Sequence, residues 1–234
     1  MKKPIVIIPA RGGSKRIPKK NIKLFDGLPI IGYPIKELQD SNRFESIYVS
    51  TDDPEIAQIS ESFGAIVPGL RPATLADDFT TTLEVISNEI IRFKLDQDPD
   101  RTICCVYPGT PMLKSEKVIQ AVEILESENW DYIISAKKTK SPIQRSFFLD
   151  SKKRLKLHFP NHENTRTQDL DASYEDAGQF YCGKMRNWIF KVPIFSSKST
   201  LSLIEEEGFY DIDTIEDWFN AEDYFKSHKN ISQD

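Results

Sequence analysis

The chain has 234 residues, 39% of them apolar, and a formal net charge of −5. That length supports one substantial core, and the composition is that of an ordinary globular domain. The acidic balance argues against an extended nucleic-acid surface, no apolar run reaches membrane-spanning length, and the run after the N-terminal lysines is too short for a signal peptide.

Ile5 to Ile8 reads as a buried strand that ends at Pro9. Ala10-Arg11-Gly12-Gly13-Ser14-Lys15 and the residues to Asn21 then bring two glycines, a serine and five cations. Phe25 to Pro29 is a turn, and Ile30 to Leu38 has helical spacing with Pro34 as a kink or early-turn position. Ser46 to Ser50 is a second strand. Asp53 before Pro54 predicts a capped helix to about Phe63, stopped by Gly64. Ala65 to Pro68 is expected as a short third strand, and Leu70 to Asp78 as loop. A helix starting at Thr80 to Thr82 puts Leu83, Ile86, Ile90 and Phe93 on one face.

Thr102 to Tyr107 is a strong apolar strand broken by Pro108 to Pro111. A helix follows from Ser115 through Leu125, then a strand over Asp131 to Ala136. Past Lys137 the rhythm changes to a hairpin, Ser146 to Leu149 and Leu155 to Leu157, and a polar segment from Asn161 to Asp176. Ala177 to Cys182 is again a strand, with Trp188, Ile189, Phe190 and Ile194 expected in the core. Thr214 caps a last helix with Trp218, Ala221 and Phe225 inward, and the tail from Lys226 is expected to fray. Cys104, Cys105 and Cys182 lack Cys-x-x-Cys spacing and read as buried thiols in a reducing cytoplasm.

Strands and helices that alternate at short spacing predict a mainly parallel sheet covered on both faces, with the ligand at the carboxyl ends of the strands. The basic turn, Thr51-Asp52, the Arg71 loop and Tyr107-Pro108 all fall on that edge. Glycines let backbone N–H groups approach an anion closely, and Arg11 and Lys15 add full charges. A polyphosphate fits this turn; a surface hairpin of solvated lysines is the simpler alternative. The glycine spacing matches neither the nucleotide-triphosphate lysine loop nor the dinucleotide fingerprint. Asp211 and Asp213, two apart in an extended segment, point the same way with Ile212 turned inward. Such a pair suits Mg²⁺, which takes one or two carboxylates plus phosphate oxygens and water. The alternative is a helix N-terminus decorated with acids.

Several separate stretches carry a resemblance. They are Ile8-Pro9-Ala10-Arg11 with Ser14-Lys15 and Lys20-Asn21, Val49-Ser50-Thr51-Asp52, Leu70-Arg71-Pro72, Leu75-Ala76-Asp77-Asp78 and Asp211-Ile212-Asp213-Thr214. Together, and in this order, the chain resembles the CMP-sugar-acid synthetases, cytidylyltransferases that activate nine-carbon 2-keto acids. Asn164 to Leu170 and Asp176-Ala177-Gly178 resemble the subgroup acting on pseudaminic acid. Tyr107 to Pro111 and Glu175 to Gly178 depart from the sialic acid enzymes.

The resemblance implies an α/β, Rossmann-like nucleotidyltransferase sandwich of one domain over 1–234, with a small β-hairpin dimerisation excursion at about 137–175. It implies a cytoplasmic homodimer that condenses CTP with the sugar acid, releases pyrophosphate and needs Mg²⁺. Catalysis then falls to Arg11, Lys15, Asp211 and Asp213, with the last two ligating the metal. Ala10, Arg11, Gly12, Gly13, Ser14, Lys15, Asn21, Arg71, Thr81, Thr82 and Tyr107 form the nucleotide site. Arg145 or Arg166 pairs with the substrate carboxylate, and Gln168 reads sugar hydroxyls or amides. The other readings are a sialic, legionaminic or deoxy-octulosonic acid enzyme, and a nucleotide-binding protein without turnover. Activated sugars of this kind feed surface glycans or glycosylated flagella.

Overall fold

The unbroken apolar run near the N-terminus becomes the strand around which the others assemble. The computed structural model describes residues 2–77, 79–205 and 209–229. Along the chain lie β1 (Ile5–Pro9), a two-residue hairpin of β2 (Leu24–Phe25) and β3 (Leu28–Pro29), α1 (Gly32–Asp40), β4 (Ser46–Ser50), α2 (Pro54–Ser62) and α3 (Thr82–Arg92). Then come β5 (Thr102–Val106), α4 (Ser115–Ser127), β6 (Tyr132–Lys138), β7 (Phe147–Leu149), β8 (Leu155–Leu157), β9 (Tyr174–Lys184), α5 (Met185–Ile189), β10 (Ser199–Leu203) and α6 (Ile215–Lys229). Six strands form one sheet in the order β10-β6-β9-β5-β1-β4. β1 runs parallel to β4 and β5, and β10 parallel to β6. β9 lies antiparallel between β5 and β6.

Alternation across the strands splits the core. Val6, Ile8 and Cys104 pack with α1, α2 and α4 on one face. Ile5, Ile7 and Cys105 pack with α3 and α5 on the other. The three cysteines are buried free thiols, and Cys104 and Cys182 place their sulfurs 3.1 Å apart across the ladder. A third, smaller core joins Ile17, Phe25, Ile30, Ile212, Trp218 and Ala221 beside the sheet.

Local chemistry sets the helix starts. Asp53 Oδ1 accepts the N–H groups of Glu55 and Ile56 at 2.7 and 3.3 Å, with Pro54 following. Thr81 and Glu84 form a reciprocal capping box on α3. Such caps are worth about 1 kcal/mol each. Thr214 and Asp217 repeat the device on α6, where the Thr214 N–H meets Asp217 Oδ2 at 2.7 Å. Gly64, at φ 87°, ends the turn after α2 in the left-handed region.

Four expectations need correction. Ala65 to Pro68 adds only a single bridge, Ile66 to Tyr48, beside the sheet's edge strand. Phe190 is 78% exposed: α5 ends at Ile189, and a residue two past buried Trp188 falls on the opposite side. α6 runs on to Lys229, past the point where the tail was expected to fray; residues 230–234 lie outside the described ones, as does Asp78. β9 is longer than expected, and β10 is an additional edge strand. Among the described residues no helix is long and apolar enough to cross a membrane.

Gly183 of β9 sits under two rings. A Cβ there would lie 2.5 Å from the Tyr132 ring and 3.0 Å from Trp188 Nε1, which donates to the Ile103 carbonyl. Gly183→Ala is expected to cost about 2 kcal/mol and lower Tm by roughly 4–8 °C. Thermal unfolding checks this; an unchanged Tm would mean that the rings shift without loss.

Candidate active site

The turn after β1 is tied down from below. The Ala10 N–H donates to the Ser50 carbonyl at 2.8 Å, and the Gly12 N–H donates to Asp52 Oδ1 at 2.9 Å. Asn21, itself buried, donates from Nδ2 to the Arg11 carbonyl at 2.9 Å. Gly12 has no room for a side chain, since a Cβ would meet Asp53 Cβ at 2.9 Å. Gly13 faces open space. The turn is therefore packed on one side and open on the other, as an anion-binding turn must be.

Arg71 reaches the same place from the next loop. Its N–H donates to the Thr51 carbonyl at 2.7 Å, and its guanidinium lies 3.8 Å from Asp52 Oδ1. Burial pushes its pKa down while Asp52 opposes that shift. Arg71 is 5% exposed, and its Nε has no hydrogen-bond partner among the described residues. A buried guanidinium with an unmatched donor on a cavity wall suits an incoming acceptor.

Arg11, Lys15, Arg71, Tyr107, Asp211 and Asp213 line one cavity of about 570 Å³, together with Ser14, Asn21 and Thr82. Opposite the turn, Ile212 is buried in the third core, so Asp211 and Asp213 both face the cavity. Arg16 holds Asp213 Oδ2 at 2.6 Å, and Lys20 donates to the Ile212 carbonyl. Burial pushes the Lys20 ammonium down, against the pull of Asp213 and Asp211. Burial and the neighbouring Asp213 charge push the Asp211 carboxyl up. Among the described residues no group of three or more His, Cys, Asp or Glu side chains forms a metal cage. Two carboxylates facing a cationic turn across one cavity are a donor set that suits Mg²⁺, an ion that takes one or two carboxylates and fills its shell with other oxygens and water.

The remaining wall comes from β5 and β9. Thr82 Oγ1 and the Tyr107 hydroxyl are 2.7 Å apart. The Tyr181 hydroxyl donates to Asp176 Oδ2, and Asp176 Oδ1 accepts the Gly178 N–H at 2.8 Å. Burial pushes both phenols well above their ordinary range.

Other expected residues take supporting places. Ala10 is fully buried, and Thr81 caps α3 and does not line the cavity. Arg145, Arg166 and Gln168 lie outside it; Arg145 donates to the carbonyls of Glu163 and Thr165 and so ties the polar segment to the hairpin. Arg16, Gln179 and Tyr181 also line the cavity, as do Lys20, Asp77 and Asp176, which the sequence shows as parts of resembling stretches without a role of their own. For Arg16 and Lys20 the signal was the cation density of the turn. The β9 residues become neighbours of the turn only once that strand is placed between β5 and β6.

A family model described as "Cytidylyltransferase" matches residues 5–231. The chain is 35% identical over 92% of its length, and 93% of the relative's, to "Pseudaminic acid cytidylyltransferase" of Campylobacter jejuni. It is 38% identical over 83% of its length to the Helicobacter pylori "Pseudaminic acid cytidylyltransferase and UDP-2,4-diacetamido-2,4,6-trideoxy-beta-L-altropyranose hydrolase", and covers 37% of that longer protein. In fold it resembles a CMP:2-keto-3-deoxy-manno-octonic acid synthetase solved with CTP, at a TM-score of 0.71 and 14% identity, covering 97% of this chain and 100% of that one.

The two adjacent glycines of the turn give a paired test. Gly12→Ala is expected to lose about 1–3 kcal/mol by overpacking against Asp53, and to weaken triphosphate binding. Gly13→Ala is expected to keep the wild-type Tm. Equal losses in both would show that the turn is not packed from one side.

Proposed function

The chain belongs to the cytidylyltransferase family, and from that premise we propose that it condenses CTP with pseudaminic acid to give the CMP-sugar and pyrophosphate. The observation that carries this reading is the cationic turn facing Asp211 and Asp213 across one cavity. The names of the relatives support the sugar, as do the departures at Tyr107–Pro111 and Glu175–Gly178 from the sialic acid pattern.

In this reaction the anomeric hydroxyl oxygen of the sugar acid bonds to the α-phosphorus of CTP and gives up its proton to solvent, the bond from that phosphorus to the oxygen bridging to the β-phosphate breaks, and pyrophosphate leaves. Arg11, Lys15 and the Gly12 to Ser14 backbone hold the triphosphate and neutralise charge on the leaving group. Arg71 and Thr82 orient the nucleoside. Asp211 and Asp213 would hold Mg²⁺, which when bound polarises phosphoryl oxygens and acidifies a nearby hydroxyl. Lys20, with its ammonium destabilised by burial, would be stabilised by an arriving anion.

The chain is proposed to work as one domain in the cytoplasm and as a homodimer. Phe147, Leu149 and Leu155 of the hairpin are 59, 64 and 57% exposed, an apolar tip that a second copy would cover. Arg166 and Gln168, away from this chain's own cavity, would then serve the second copy's substrate.

With CTP, Mg²⁺ and pseudaminic acid, pyrophosphate release is expected. It should fall by at least about a hundredfold in the Asp211→Ala, Asp213→Ala double variant. Release with N-acetylneuraminic acid instead would keep the chemistry and overturn the substrate. Gel filtration at micromolar concentration should give a dimer mass, and a clean monomer would remove the hairpin's proposed role.

A further inference from the structure

Two separate pieces of chain supply the residues assigned to the nucleoside. Thr82 opens α3, Arg71 sits on the loop after Leu70, and both line the cavity. The far end of the same helix carries an ion pair. Glu89 is fully buried, and its Oε2 accepts from Arg92 Nε at 2.8 Å and lies 2.7 Å from Arg92 Nη2. The rest of the Arg92 fork reaches off the helix. Nη1 and Nη2 each donate to the Gly69 carbonyl at 3.1 Å, and Nη1 also donates to the Leu70 carbonyl at 3.4 Å. These are the two carbonyls immediately before Arg71, whose own N–H is held by the Thr51 carbonyl at 2.7 Å. Neither Glu89 nor Arg92 lines the cavity.

A buried ion pair contributes little net stability, because desolvation offsets its attraction. Glu89 adds a further cost, since its Oε1 has no hydrogen-bond partner among the described residues. What the pair supplies is direction: a planar fork held by a carboxylate grips two successive carbonyls at a fixed angle. Arg71 needs that grip. Its guanidinium stops 3.8 Å from Asp52 Oδ1, beyond hydrogen-bond reach. A slack loop would let the two groups close on each other and draw the guanidinium away from a ligand. We propose that Arg92, held by Glu89, is a positioning residue: it ties the Arg71 loop to α3, and so sets Arg71 against Thr82 at the spacing the nucleoside requires. This rests on the reading of CTP as substrate, with Arg71 and Thr82 orienting its nucleoside.

The test measures Tm and the calorimetric Kd for CTP in Arg92→Ala, Arg92→Lys, Arg71→Ala and the Arg92→Ala, Arg71→Ala double variant. Arg92→Ala is expected to raise Kd about tenfold in the wild-type background, and by less than about twofold where Arg71 is already replaced. A merely structural Arg92 would give the same factor in both backgrounds, and that result overturns the proposal. Arg92→Lys keeps a charge for Glu89 but loses the fork, so it should retain most of the wild-type Tm and still raise Kd. A wild-type Kd in Arg92→Lys overturns the proposal. Should Arg92→Ala fail to fold, Arg92→Lys in the same two Arg71 backgrounds decides by the same comparison. In steady-state kinetics KM for CTP should rise with Kd, while kcat changes by less than about threefold and KM for the sugar acid stays. If wild type binds CTP but releases no pyrophosphate, the reaction fails and the affinities still decide Arg92's role. If it binds no CTP, the substrate reading fails, and the nitrogen resonance of Arg71 Nε, assigned by its loss in Arg71→Ala, decides instead. It should shift in Arg92→Lys, and an unmoved resonance overturns the proposal.

Discussion

The contact on which the site depends is the small core that locks Ile212 against Ile17 and Trp218. Ile17 belongs to the cationic turn and Trp218 to α6, so this packing fixes the turn and the two carboxylates to one another. Each fully buried side chain of this size contributes about 1.5–3 kcal/mol. That is enough to hold together groups that gain little from each other in water. The carbonyl of Ile212 also receives the Lys20 ammonium, so one residue anchors an acid pair on its flanks and a cation on its backbone. Phe25 meets Trp218 edge to face at 5.5 Å and extends the same core to the β2–β3 hairpin.

The sheet supplies the rest by topology. β1, β4 and β5 run parallel and deliver the basic turn, Asp52 and Tyr107 to one edge. β9 runs the other way and therefore brings its beginning, Asp176 to Gln179, to that same edge. The polar groups gathered there are left strained in charge. The Lys20 ammonium is destabilised by burial, the Asp211 carboxyl is pushed up, and Arg71 Nε has no hydrogen-bond partner among the described residues. A fold optimised only for stability would remove such features. Their clustering in one cavity marks where a charged ligand repays the cost.

Much of this was legible in the residues. β1, β5 and β6 are near-continuous apolar runs, and α2 and α3 announce themselves by Asp53-Pro54 and the Thr81/Glu84 box. The hairpin strands of the excursion fall where alternation placed them. β10 was hidden because Ser199-Thr200-Leu201-Ser202-Leu203 is a short, partly exposed edge strand in a serine-rich stretch. Phe190 looked apolar enough for the core, but five helical residues after β9 leave it pointing outward. In the site, Arg11, Lys15 and the acid pair were identifiable by residue type and spacing. Asp176 stands in a stretch that carries the resemblance but points to no role by itself, Tyr181 carries no local motif, and both reach the cavity only through the placement of β9. Gly12 and Gly13 looked alike in sequence, and only the approach of Asp53 separates them.

The central claim is that the cationic turn and the Asp211/Asp213 pair act on one ligand through a shared metal. Calorimetric titration of CTP with and without Mg²⁺ tests this most directly, in wild type and in Asp211→Asn, Asp213→Asn. Linkage requires Mg²⁺ to tighten CTP binding in wild type, and that coupling should vanish in the variant while metal-free binding to the turn remains. Coupling of equal size in both proteins would contradict the account, because the metal would then reach CTP without these carboxylates.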